Sequence, residues 1–304
     1  MSQSDPVAYL YGRFLPQSEV SLPLHDAGFV MGATVTDFCR TFKHVLFRWP
    51  DHLARFRRGC GTCFIPLLQG DDELTRIAEE LVRHNAALIG PSQELALITF
   101  ATPGPIGYYL GEPGGAGDGP PTLGMHTFPL RFERYRKFFE EGVALQITGG
   151  CQLAPEILLP VNVKHRSRLH WWLADRQSSP GTVPMALNSS GSTVTETAFA
   201  NFLLVHNGTI VSPPPEFILD GISKWFVYLL ASDLGIPFIE EYISPDDCQF
   251  ADEAMLCGTA FCLAGVRRID RLSIPWPGPV FTRLLAAWSE RVGLDIARQI
   301  LANP

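Results

Sequence analysis

Val161-Asn162-Val163-Lys164-His165-Arg166-Ser167-Arg168-Leu169 places one lysine behind a short apolar run and ahead of a basic, polar stretch. An acidic segment follows, Thr193-Val194-Thr195-Glu196-Thr197-Ala198-Phe199-Ala200-Asn201. Beyond it come Leu219-Asp220-Gly221-Ile222-Ser223 and Cys257-Gly258-Thr259-Ala260. In order, these are an amine, a carboxylate and two turns opened by glycine. An amine condenses with an aldehyde, and a carboxylate pairs with a protonated ring nitrogen. A glycine-opened turn at a helix start presents backbone N–H groups to an anion.

The composition fits a folded, catalytic chain. With 304 residues and 46% hydrophobic content there is material for a sizeable core, and the length predicts about two domains. Only 18% of residues are charged, too few for a disordered chain. The net charge of −7, with no basic block, argues against nucleic acid or an anionic membrane as partner. Seven scattered cysteines do not read as a disulfide framework. The opening residues show no signal peptide, and no apolar run approaches a membrane span, so a cytoplasmic protein is expected.

Residues 7–14, 34–42 and 45–49 read as strands, with Asp26-Ala27-Gly28 and Met31-Gly32-Ala33 as loops. Asp51 is the expected N-cap of a helix over 52–60, and a second helix is predicted over 72–88. Residues 95–101 read as a buried strand. Residues 103–121 carry seven glycines and five prolines and are predicted to be a loop. Further strands are predicted at 123–128, 143–148, 183–187, 200–205, 209–211, 237–242 and 254–257. Helices are predicted at 132–141, 164–176, 222–234 and 280–292. The mixture is α/β or α+β. The predicted division is a small N-terminal α/β domain over 1–120, a linker over 121–133 and a large domain over 134–304.

The amine, carboxylate and phosphate-binding turns suit pyridoxal 5′-phosphate (PLP). In this order they resemble the class IV aminotransferases, the fold-type IV PLP enzymes, over residues 11–270. That family includes branched-chain and D-amino-acid aminotransferases and 4-amino-4-deoxychorismate lyase. The resemblance implies a two-domain α/β fold, the larger C-terminal domain a pseudo-barrel, with PLP between the domains. It also implies a homodimer acting on an amino acid or amine and a 2-oxo acid. The runner-up activity is lyase-type elimination of pyruvate, and a non-catalytic protein on the same fold is a third reading.

By the same resemblance, Lys164 is the catalytic, cofactor-binding amine, and the context Lys164-His165-x-x-Arg168-Leu169 carries it. Glu196 pairs with the pyridine nitrogen. Asp51-His52-Leu53-Ala54-Arg55 matches a His-Leu-x-Arg motif whose arginine binds the phosphate, as Ile222, Ser223 and Thr259 are expected to do. Thr36, Phe38 and Arg40 lie on a strand that lines the substrate pocket in relatives, and Ala260 adjoins the second phosphate turn. His165 reads as a satisfied polar residue, and Trp171-Trp172 as packing for a helix against the core or a partner subunit.

Some residues depart from the family pattern. D-amino-acid enzymes carry an arginine after the strand matching 95–102, where this chain has Phe100-Ala101-Thr102-Pro103-Gly104. Branched-chain enzymes carry a tyrosine where Leu169 stands. Gly149-Gly150-Cys151-Gln152-Leu153-Ala154-Pro155 lacks the arginine that many relatives have there. Cys60-Gly61-Thr62-Cys63 has thiol-pair spacing, but no second pair completes a zinc site, so no metal is expected. A Gly-x-Ser-x-Gly elbow is lacking, which disfavours a serine hydrolase.

Overall fold

Tyr11 and Gly12 both take positive φ, 51° and 80°, and turn the chain between β1 (Val7–Leu10) and β2 (Arg13–Pro16). Two positive φ values suit the tight turn of a twisted hairpin. The run 7–14, expected as one strand, is therefore two. The structure is a computed structural model describing residues 5–152 and 160–302; for 149–152 only the backbone is described. It contains two compact units: Met1–Leu130 with Val163–Ser167, and Arg131–Asn162 with Arg168–Pro304.

In the first unit a one-turn helix, α1 (Ala27–Val30), is capped by Asp26, whose Oδ1 accepts from Gly28 N at 2.7 Å. The strands β3 (Val35–Phe42) and β4 (Val45–Leu46) follow. Next come α2 (Trp49–Thr62), α3 (Asp71–Ala86), β5 (Leu95–Thr102) and β6 (Thr122–Pro129). The sheet order is β2-β1-β6-β5-β3-β4, every pair antiparallel. In α2, Trp49, Leu53, Phe56 and Cys60 recur at helical spacing. In α3, Leu74, Ile77, Ala78 and Leu81 do the same. Both apolar faces pack on Val35, Cys39, Leu97 and Met125, one face of the sheet. Each such large side chain contributes about 1.5–3 kcal/mol of burial.

The start of α2 differs from expectation. Its N-cap is Arg48, and Asp51 sits inside the first turn, pairing with Arg48 Nε at 2.6 Å. Pro50 explains the earlier start, because proline is well suited to the first turn of a helix.

The second unit carries α4 (Arg136–Glu140), β7 (Val143–Gln152), α5 (Leu169–Gln177), β8 (Val183–Leu187), β9 (Val194–Thr197), β10 (Asn201–His206) and β11 (Thr209–Ser212). After these come α6 (Ile222–Asp233), β12 (Phe238–Glu240), β13 (Glu253–Gly258), β14 (Cys262–Ile269), β15 (Leu272–Ser273), α7 (Pro279–Val292) and α8 (Ile296–Ala302). Strands β10, β13, β14, β7, β8 and β9 neighbour one another in that order. The pair Asn201↔Glu196 joins β9 back to β10 and closes a six-stranded barrel. Strands β11 and β12 extend from β10, and β15 from β14.

Two expectations are corrected here. The helix predicted from Lys164 begins at Leu169, because residues 164–166 pair with backbone at 34–36 instead. Strand β14 and helix α8 were not anticipated. Within α5, as expected for a packing residue, Trp171 is buried against Ala174 and Ala186, and Trp172 is exposed beneath the Arg176 guanidinium. Among the described residues, no helix is long and apolar enough to cross a membrane.

Candidate active site

In the first unit Lys164 lies on an extended segment against β3. Its carbonyl accepts from Thr36 N at 2.8 Å, and Arg166 N donates to Thr34 O at 3.0 Å, around the bridge Val35↔His165. Val163 packs at Gly59 of α2 beside Val35, which fixes the helix side of the segment. Side chains alternate along extended chain. Lys164 and Arg166 therefore emerge on the other face, the one that carries Thr36, Phe38 and Arg40.

Those three substrate candidates are placed as follows. Thr36 is buried, its Oγ1 donating to Thr99 O at 3.0 Å. Phe38 lies 6.1 Å from Phe128, ring to ring. Arg40 is almost wholly buried, its Nε donating to Thr41 O at 3.1 Å and its guanidinium stacked 3.9 Å over Phe42. The side chains of His126 and Phe128 extend the same face, with ring centroids 6.3 Å apart.

Asp37, on the opposite, helix-covered face, holds Arg55. The Arg55 Nε donates to Oδ2 at 2.9 Å and a terminal nitrogen donates to Oδ1 at 3.0 Å, while His52 Nδ1 lies 2.6 Å from Oδ1. Burial alone would raise the Asp37 carboxyl, but the Arg55 guanidinium and then His52 outweigh it and hold the group well below the usual carboxylate range. Burial pushes His52 down despite its carboxylate partner, and the charges of Arg55 and Lys164 add to this. Arg55, expected at a phosphate, is thus fixed first by a buried carboxylate. The sequence reading missed Asp37. Its signal was the one carboxylate in the strand Val35–Phe42.

In the second unit Glu196 sits at the closure of the barrel. Asn201 Nδ2 donates to Glu196 Oε2 at 2.9 Å and to Leu219 O at 3.0 Å, and Leu219 N donates to the same Glu196 oxygen at 3.2 Å. Asn201 also pairs with Cys257 across β13. A Cβ on Gly221 would overlap Asn201 Oδ1, so only glycine fits there. Gly221 is the N-cap of α6, which has no side-chain cap. Ile222 and Ser223, both buried, open that helix, and among the described residues their N–H groups find no acceptor. Thr259 and Ala260 lie in the turn between β13 and β14, whose ends are joined by the pair Gly258↔Cys262. Asn201, quoted in the acidic segment but given no role, is the residue that ties Glu196, Gly221 and β13 together.

Arg168, noted for its motif, donates to Ala198 O within the second unit. Burial pushes the Cys60, Cys248 and Cys257 thiols up to about 12, so none is a thiolate at neutral pH. Residues 153–155, part of the segment that lacks an arginine, lie outside the described residues.

The set fits PLP chemically. It offers an amine, a carboxylate held in one direction, and an uncapped helix start whose glycine is packed too tightly for a side chain. Residues 34–269 match the family model described as Amino-transferase class IV. The chain is 26% identical to a D-alanine aminotransferase of Staphylococcus aureus over 86% of this chain and 88% of that protein. The fold matches the Escherichia coli branched-chain amino acid aminotransferase at TM-score 0.82 and 22% identity, over 96% of this chain and 94% of that one. A T.th. branched-chain amino acid aminotransferase complexed with N-(5′-phosphopyridoxyl)-L-glutamate matches at TM-score 0.82 and 22% identity, over 95% of each chain.

Proposed function

We propose that this chain, which belongs to the class IV aminotransferases, moves an amino group with pyridoxal 5′-phosphate, using Lys164 as the reactive amine and Glu196 as the partner of the ring nitrogen. The observation that carries the proposal is Glu196 itself. Two donors, Asn201 Nδ2 and Leu219 N, converge on one of its oxygens and fix the direction of the carboxylate. When bound, the cofactor supplies an electron sink that stabilises negative charge on the substrate carbon bearing the amino group.

The protein's own residues do the rest. Lys164 Nζ would take the proton from that carbon and hold it for the return transfer. Glu196 would face the ring nitrogen and favour its protonated form. Ile222 and Ser223 offer backbone N–H groups at the start of α6, and Thr259 a hydroxyl, to the phosphate. Arg55, oriented by Asp37, is assigned to the same anion. Thr36, Phe38, Arg40 and Ala260 are assigned to substrate.

The relative from Staphylococcus aureus is named for D-alanine. That specificity is not carried over, since the stretch after β5 holds no arginine. There the Thr102 hydroxyl donates to Asp26 and accepts from Gly104 N. A homodimer working in the cytoplasm belongs to the same proposal, and light scattering that reports a monomer would remove the first part.

The test is a visible spectrum of the protein loaded with PLP, taken while L-amino acids, D-amino acids and primary amines are added singly. The proposal expects a band that Lys164→Ala abolishes and that at least one donor converts to the spectrum of the aminated cofactor. A band that no donor converts, with pyruvate released from aminodeoxychorismate without a 2-oxo acid, would overturn it in favour of a lyase.

A further inference from the structure

Two residues after Lys164 stands a second cation on the same face. Arg166 is anchored through its backbone to Thr34, and Val163 takes the helix side of the segment. Alternation then puts Lys164 and Arg166 side by side, about 6.6 Å apart along extended chain. Among the described residues the Arg166 guanidinium makes no hydrogen bond and no ion pair. Asp37, the nearest carboxylate on β3, lies on the opposite face and is bound by Arg55 and His52.

The sheet face that Arg166 shares is rich in aromatic side chains. Phe38 pairs with Phe128, and Phe128 with His126. Phe100 lies opposite Thr36 across β5, its ring laid over Gly124, where a Cβ would overlap it. Burial first and the Arg166 charge second lower the pKa of His126, so its ring is neutral at pH 7 and within electrostatic reach of the guanidinium. An exposed guanidinium on the face that carries these rings, without a carboxylate, is arranged for a planar anion that comes from outside.

We infer that Arg166 receives the carboxylate of the substrate beside Lys164, which makes the substrates amino acids and 2-oxo acids with apolar or aromatic side chains, not simple amines. The inference rests on the transaminase reading and deepens it. In an α-amino acid the carboxylate is bonded to the carbon that carries the amine. A receptor for it must stand next to the reactive lysine, as Arg166 does. The aromatic face formed by Phe38, Phe100 and Phe128 then takes the side chain.

The experiment compares PLP-loaded wild type, Arg166→Gln and Arg166→Lys. Calorimetry measures the affinity of 4-methylpentanoate, an unreactive acid, and PLP affinity is measured separately. Steady-state kinetics compare leucine with 3-methylbutylamine, which differs from leucine only by the carboxylate. The expected result is a loss of about 10- to 100-fold in acid affinity in Arg166→Gln, the range of a lost charge-assisted hydrogen bond. A matching fall is expected in the leucine-to-amine ratio of kcat/KM, carried by KM, with partial recovery in Arg166→Lys. PLP affinity should stay within about twofold, as expected for a site the side chain does not touch.

Equal acid affinity in Arg166→Gln and wild type overturns the inference. So does a loss that falls on PLP affinity, which would make the anion a phosphate. Should Arg166→Gln fail to fold, Arg166→Lys carries the comparison, because it keeps the charge and loses the planar fork. A wild type that binds PLP but converts no donor sinks the transaminase reading alone, and the acid titration still judges Arg166.

Discussion

Asn201 donates its side-chain amide to Glu196 across the one register pair that closes the barrel, at 2.9 Å. One residue thus both joins β9 to β10 and aims the carboxylate assigned to the ring nitrogen. Asn201→Ala removes one of the donors to Glu196 Oε2 and strands the Leu219 carbonyl. Both partners are half-buried, so the loss should fall at the low end of the about 1–3 kcal/mol for an unsatisfied buried group. The expected outcome is a lower urea midpoint together with weaker PLP binding. Glu196→Gln, by contrast, keeps an acceptor for Asn201 and should retain stability while losing the converted spectrum. Equal stability of Asn201→Ala and wild type would contradict the structural half of this relationship.

Gly221 is the next link, because α6 starts against Asn201. In Gly221→Ala the new methyl overlaps Asn201 Oδ1. Either the amide rotates away from Glu196 or the start of α6 retreats. Overpacking of this kind costs about 1–3 kcal/mol. The double variant Gly221→Ala with Asn201→Ala removes the overlap, so the two effects should be clearly non-additive in thermal denaturation. Additive losses would show that the contact does not couple them.

Which parts of this were legible in the sequence follows from the range of each signal. The short apolar run over 95–101 and the helical spacing of Leu74, Ile77 and Leu81 are local, and the elements appeared where they were expected. The barrel closure depends on a single pair, Asn201↔Glu196, and no local pattern encodes which strands meet. Residues 164–168 read as the start of a helix because Lys and Arg favour one. Backbone pairing with Thr34 and Thr36 overrides that weak preference. Lys164 and Glu196 stood out by their chemistry. Asp37 did not, because a carboxylate inside a strand makes sense only once Arg55 and His52 are seen folded over it.

Gly124 lets the Phe100 ring lie flat on the sheet face shared with Lys164 and Arg166. In Gly124→Ala the ring must leave that position, since the added methyl overlaps its edge and also approaches Leu10. The expected outcome is a shift in preference among apolar donors. The kcat/KM ratio for a large over a small side chain should change by about 10-fold or more, on the scale of one or two methylenes in a pocket. Unchanged ratios in a folded variant would remove Phe100 from the recognition surface.

The Asp37, His52 and Arg55 cluster makes stability depend on acid in two stages. The pKa of His52 is lowered in the fold, so the unfolded chain binds a proton more readily. Stability therefore falls as pH drops below about 6.5, its unfolded value. The pKa of Asp37 is also lowered, from an unfolded value near 3.9. Its contribution is fully present above about pH 4–5 and is lost as pH falls below that toward the folded value. Asp37→Asn leaves the Arg55 guanidinium buried without its anion. Breaking a buried pair in this way costs about 3–5 kcal/mol near neutrality. The deficit should shrink as pH falls below about 4, where the wild type begins to lose the same charge. The variant also removes the group that raises His52, so its first acid stage should still begin near about pH 6.5 but run deeper and further down in pH. Urea midpoints of both proteins across that range check each part. A deficit that stays constant down to pH 3 would mean that Asp37 stabilises the fold by shape and not by charge.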